Sequence, residues 1–179
     1  MNILFMKTLA MSPDTMTYHS PQRKDFTWND GIMVAQCEKC APEGTIELDC
    51  HCGIYGSPNS EALTEYAVHP TSFNVLLQAY GRVDIWTAPR DVGNGNAYVL
   101  RSWAARVIGL VEETHYQFFS SDVRAQAAVA ASMHFDVAIY PLEMVKSMIK
   151  TTWEEHMQID PYRVTGYPWF QIGYEWRNQ

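Results

Sequence analysis

The chain has 179 residues, 47% of them hydrophobic and 18% charged, with a formal net charge of −7. That length suits one domain able to bury roughly two-thirds of its unfolded surface, so the main core needs no staple. The acidic balance excludes broad attraction to a phosphate backbone or an anionic membrane, since the 13 Lys and Arg residues form no tract that would offset it.

No window approaches eighteen consecutive apolar residues, so no membrane span is expected. Residues 2–10 are rich in Ile, Leu, Phe and Met. They lack the basic start and small-residue cleavage pattern of a signal peptide, and they predict a short buried strand and a cytoplasmic protein. Residues 12–31 carry Pro13, Pro21 and Asn29-Asp30-Gly31 and predict loop or extended chain ending in a turn. Ile32–Ala35 predicts a strand that delivers Cys37.

All four cysteines fall between residues 37 and 52, as Cys37-x2-Cys40-x9-Cys50-x-Cys52 with His51 inside the last pair. In a reducing compartment two close pairs favour a metal over disulfides. Four thiolates suit zinc, which is borderline-soft and takes them tetrahedrally. Cys37, Cys40, Cys50 and Cys52 are therefore the expected ligands, with His51 as a substitute for one. A full set of thiolates leaves no open position for water and argues against metal-assisted hydrolysis. Iron–sulfur binding, redox chemistry and plain reduced thiols remain the alternatives, and the spacing matches neither common ferredoxin pattern.

Pro42-Glu43-Gly44 predicts a turn, Thr45–Leu48 a short strand and Glu61–Ala67 a short helix that His69-Pro70 ends. Ser72–Ala79 is apolar enough for either a helix or a strand. Gly81–Thr87 alternates well and predicts a strand. Gly93-Asn94-Gly95-Asn96 predicts a turn, and Ala97–Trp103 and Ala105–Glu112 two further strands. A helix is expected from Ser120-Ser121-Asp122 to about His134, through the tract AQAAVAAS. Asp136–Tyr140 predicts a short strand. Pro141 then opens a second helix whose apolar face is Leu142, Val145, Ile149, Trp153 and His156 or Met157. The tail, residues 162–179, holds Tyr162, Tyr167, Trp169, Phe170, Tyr174 and Trp176. It reads as a terminal strand or as an aromatic contact surface for a partner.

Together these elements predict a single α+β domain over residues 1–179. It would have a largely antiparallel sheet of five to seven strands, able to curl toward a barrel. Two helices would cover that sheet, and a zinc knuckle would be inserted at about 36–56. Arg82, Trp86, Arg90 and Trp103 form one candidate ligand site, able to stack a base and contact its phosphate if strands 81–87 and 97–103 make a hairpin. Packing is the plainer role for those tryptophans. His115 with Glu112 and Glu113 is a candidate acid–base set. No H-E-x-x-H, phosphate loop or G-x-S-x-G is present.

The run Cys37-x-x-Cys40-Ala41-Pro42 followed by Cys50-x-Cys52-Gly53-Ile54-Tyr55 resembles a cysteine motif in uncharacterised small proteins of actinobacteria and their phages. Position 40 is Cys where that family often has His, and position 56 is Gly where it usually has Ala. Gly81-Arg82-Val83-Asp84-Ile85-Trp86 resembles the family's G-x-V-x-L-W strand, and His134-Phe135-Asp136-Val137 with Pro141 resembles its closing segment. The likeness covers roughly residues 25–155. It implies a metal knuckle on a small mixed fold and admits a phage origin, with action on a protein in the host cytoplasm. The expected function is a zinc-stabilised binding or adaptor module for a protein, a nucleotide or a modified base. The alternative is an enzyme acting on a small or nucleotide-like substrate through a His/Glu pair or a site centred on His51.

Overall fold

The computed structural model describes residues 3–21, 23–37, 52–58, 70–89, 96–112 and 121–159. The predicted short strand at 45–48, the helix at 61–67, the turn at 93–95 and the tail lie outside the described residues.

The architecture is α+β: a curled antiparallel half-barrel with two helices. The strands are β1 (Leu4–Ser12), β2 (Thr17–Ser20), β3 (Arg23–Thr27), β4 (Ile32–Val34), β5 (Ile54–Gly56), β6 (Ser72–Pro89), β7 (Asn96–Glu112) and β8 (Ile139–Pro141). The helices are α1 (Ser121–Phe135) and α2 (Leu142–Ile159). Eight strands are thus described, against the five to seven expected. The main path of the sheet is β3-β2-β1-β6-β7-β4, and β5 and β8 also pair with β7.

Two long strands form the frame. β6 runs 18 residues and β7 runs 17, so the segment 72–79, which the sequence leaves open between helix and strand, is continuous with the strand expected at 81–87, and the strands expected at 97–103 and 105–112 merge. Each strand bends at a bulge without ending. Leu76 opposes Gly109 while Leu77 opposes Val107, which leaves Ile108 extra. Tyr80 opposes Ala104 while Val83 opposes Ser102, so Gly81 and Arg82 together face Trp103. Gly81 has φ +75°, a conformation that L side chains adopt only at a cost. Bulges increase local twist, and twist is what curls these ribbons.

The curl brings the outer edge of β1 back toward β5. Met6 and Ser57 exchange backbone hydrogen bonds of 2.8 and 2.9 Å, so the ladder passes from β1 through β6, β7 and β5 back to β1. Gly56 makes this approach possible. A Cβ there would strike the Phe5 ring and the Met6 carbonyl oxygen.

The core lies where β1, β6 and β7 curl over the helices. Phe5, Met6, Leu9, Leu76, Leu77 and Leu110 are fully buried within it. From α2, Val145, Ile149 and Trp153 pack inward at a spacing of four, as the sequence predicts. Trp153 Nε1 donates to the Leu4 carbonyl oxygen at 2.7 Å, and the Leu4 amide donates to Thr152 Oγ1 at 3.2 Å. These bonds tie α2 to the edge of β1. α1 buries Ala127 and Ala131, whose small side chains let it lie close to its neighbours. It ends with Asp136 at φ +52° and the Val137 amide bonded to the Ser132 carbonyl, a left-handed cap that satisfies a terminal carbonyl. Among the described residues no helix is long and apolar enough to cross a membrane.

Candidate functional site at the Trp103 edge

One edge of β7 carries three short segments in succession. β8 pairs in parallel at Leu110–Glu112, β4 antiparallel at Ala104–Arg106, and β5 antiparallel at Leu100–Ser102. β4 and β5 run in the same direction along that edge. The Ala35 amide donates to the Trp103 carbonyl oxygen at 2.8 Å, and Ile54 then takes up the ladder opposite Ser102. The two segments are one edge strand interrupted between Ala35 and Ile54. The cysteine-bearing stretch leaves and rejoins the sheet at a single point.

Cys37 lies two residues beyond Ala35 and Cys52 two residues before Ile54, and both are half-buried. The first and last cysteines of the motif are therefore delivered to the same stretch of edge. Cys40, Cys50 and His51 lie outside the described residues. Among the described residues no three His, Cys, Asp or Glu side chains gather as a metal site. Four thiolates would suit zinc, and Cys37 and Cys52 are the two that fall within the described residues.

On its other side Trp103 faces the Gly81–Arg82 bulge. A Cβ on Gly81 would sit 3.2 Å from the Trp103 Cβ, so β6 approaches the tryptophan closely. The ladder thus brings Arg82 opposite Trp103. It sets Trp86 opposite Val99, four residues further along β7, a separation of about 13 Å at strand rise. Arg90 lies outside the described residues, as do Glu113 and His115, while Glu112 is the exposed last residue of β7.

A charged row that the sequence reading passed over crosses the sheet two residues from Trp103. Tyr55, Arg101 and Asp84 stand opposite one another on β5, β7 and β6. Arg101 Nη2 donates to Asp84 Oδ2 at 2.7 Å, with both side chains buried. Burial opposes the Arg101 charge, but the bond to Asp84 and the contact with the Tyr55 side chain outweigh it and hold the guanidinium above its ordinary pKa. Lys7 Nζ donates to the Tyr55 carbonyl oxygen at 3.0 Å. Burial lowers the Lys7 amine to a pKa of about 8. The only signal in sequence was a charge placed inside each of two apolar strands. The pairing itself depends on register.

His19 and His134 are occupied structurally. His19 Nδ1 must donate to the Ser20 carbonyl oxygen (3.0 Å), since a carbonyl only accepts, and its Nε2 meets Ser12 Oγ at 3.0 Å. Both ring nitrogens are thereby used to close the β1–β2 hairpin. His134 Nε2 donates to the Asn29 carbonyl oxygen at 2.8 Å, and its ring lies 4.8 Å from that of Tyr18. Among the described residues neither imidazole pairs with a carboxylate. No family model, curated protein or solved structure matches the chain.

Proposed function

We propose that the chain is a zinc-stabilised binding or adaptor module. In this reading Cys37, Cys40, Cys50 and Cys52 hold one zinc ion at the base of an insert in the edge strand of the half-barrel. The observation that carries it is the interruption between β4 and β5, which starts Cys37 and ends Cys52 at the Trp103 edge. A metal there would remove the conformational freedom of the intervening chain and fix a projecting surface for a protein partner. Four thiolates would leave the ion no open position, so its role is structural. The likeness to small actinobacterial and phage proteins favours a partner in the host cytoplasm.

A nucleotide-like ligand is the second reading, favoured by Arg82 standing opposite the half-buried Trp103. It predicts quenching of tryptophan emission by nucleoside monophosphates at low salt. The enzymatic alternative falls on His115 and His51, which lie outside the described residues, while His19 and His134 serve backbone carbonyls and a serine.

Elemental analysis of the purified full chain tests the main reading. One zinc per chain, lost when Cys37→Ser and Cys52→Ser are combined, supports it. A protein that folds fully without zinc or any other metal overturns it.

A further inference from the structure

The sheet's path ends at β4, and β7 takes only one side of that strand. The Val107 amide donates to the Gly31 carbonyl oxygen at 2.7 Å, and the Ala35 amide to that of Trp103 at 2.8 Å. Gly31, Met33 and Ala35 therefore turn their backbone groups toward β7. In an antiparallel ladder those of Ile32 and Val34 point the other way, to the outer edge. Among the described residues these two amides and two carbonyl oxygens have no partner.

Other edges of the sheet are guarded. α2 takes both backbone groups of Leu4, and Ser57 takes those of Met6. β3, at the opposite end of the path, begins Arg23-Lys24-Asp25, and β8 ends in Pro141. Charge and proline both discourage a further strand. β4 is Ile-Met-Val in an unbroken register, so its shortness is its one such defence.

The side chains around this edge define what fits it. Ile32 and Val34 are 53% and 46% exposed on one face, while Met33 is buried on the other. Arg106 lies exposed opposite Ile32, and among the described residues no carboxylate pairs with it. A strand added outside β4 would lie two spacings, about 10 Å, from β7, a gap that an arginine and a glutamate side chain close together over Ile32. Apolar side chains beside Ile32 and Val34 with one carboxylate among them complement this edge. A second copy of the chain is a poorer occupant. Two three-residue edges bury far less than the roughly 1,200 Å² of a lasting dimer, and each copy brings a net charge of −7. Brief recognition of a peptide tolerates so small a contact.

We propose that the outer edge of β4 recognises an extended segment of a protein partner by strand addition, with an acidic side chain of that segment meeting the Arg106 guanidinium. This names the kind of partner for the binding-module reading above and rests on that reading, but not on its zinc.

The probe is labelled acetyl-Thr-Ile-Thr-Glu-Thr-Ile-Thr-amide, whose glutamate and two isoleucines share one face of a strand. Fluorescence anisotropy against the full chain should show saturable binding. Val34→Pro removes an outward amide and keeps the bonds to β7, and it should weaken binding about fivefold. Arg106→Glu should weaken it roughly tenfold, the difference between an attractive and a repulsive surface pair, and a peptide with lysine in place of glutamate should recover the loss. The Ile32 and Val34 amides should exchange freely in the unbound chain and at least tenfold more slowly at saturation. Unchanged thermal midpoints would show that both variants fold. Absence of saturable binding at millimolar peptide overturns the proposal, as does binding indifferent to Val34→Pro. So does slow exchange of both amides in the unbound monomer, which would mean that the chain covers its own edge, and so does slowing that appears only with dimerisation in sedimentation. Stoichiometric zinc without peptide binding would sink the strand site and leave the metal; peptide binding by a metal-free chain would do the reverse.

Discussion

Lys7 Nζ reaches the Tyr55 carbonyl oxygen at the point where β1 and β5 part company. Had the two strands stayed paired beyond Met6–Ser57, the next backbone donor to that oxygen would be the Thr8 amide. A side chain takes its place in the seam. The amine gains a hydrogen bond and loses its water, and the loss of water dominates, since its pKa falls from 10.5 to about 8.

The seam should therefore strengthen with pH. Below pH 8 the folded and unfolded chains both carry the charged amine, and its desolvation opposes folding by about 3 kcal/mol. Between about pH 8 and 10.5 the folded chain has released that proton while the unfolded chain still holds it, so the cost fades and stability rises. Urea unfolding at pH 7.5 and 10.5 measures the rise. Lys7→Met should flatten it, and equal slopes in both proteins would show that the amine is not desolvated.

The Asp84–Arg101 pair makes a different prediction. Removing one member leaves a buried charge without its main partner, and Asp84→Ala or Arg101→Met should each cost about 3–5 kcal/mol in urea unfolding. Replacing both, as Asp84→Leu with Arg101→Met, should cost less than either single change, because no charge is then stranded. Tyr55→Phe should cost only about 1 kcal/mol, the worth of one hydrogen bond. Additive losses in the double variant would mean that the pair is not coupled.

How much of this was legible beforehand follows from which interactions are local. α1 and α2 were readable because their causes lie within a few residues: the Ser121-Asp122 start, the alanine tract, and Val145, Ile149 and Trp153 on one face. Residues 72–79 could not be assigned because Phe73, Val75, Leu76 and Leu77 are all buried, which erases the alternation that marks a strand. Gly81 looked like a boundary and is a bulge inside β6. β2 and β3 fell in a stretch that reads as loop or extended chain, because its prolines and polar residues hide the pairing. The cysteine insert was visible as a motif, but not that its ends meet at Trp103, which follows from two strands sharing an edge of β7. The Asp84–Arg101 bond spans 17 residues and exists only in the β6–β7 register. A one-residue slip would have sent the two side chains to opposite faces.

Gly56 tests the closure of the half-barrel. The Met6 carbonyl oxygen that a Cβ would strike is the acceptor of the Ser57 amide, and backbone cannot swing aside as a side chain can. Gly56→Ala should cost about 2–3 kcal/mol, as overpacking of a rigid site does. Hydrogen exchange should locate the damage, with the Met6 and Ser57 amides losing protection before the β6–β7 amides do. Uniform loss across the sheet would show that the seam and the frame open as one unit.

The two described cysteines should behave alike in spite of their separation in sequence. If one ion joins the ends of the insert, Cys37→Ser and Cys52→Ser each remove a ligand from the same site, and each should lower bound zinc below stoichiometric. The mechanical consequence should appear at Ala35, whose amide holds the Trp103 carbonyl oxygen at 2.8 Å and is the last described backbone bond before the insert. Chelation of the wild-type protein should speed exchange of that amide at least tenfold and shift Trp103 emission toward that of exposed indole, with the β1–β6 amides unaffected. Zinc loss in only one of the two variants, or an Ala35 amide indifferent to chelator, would mean that the metal does not bridge the base of the insert.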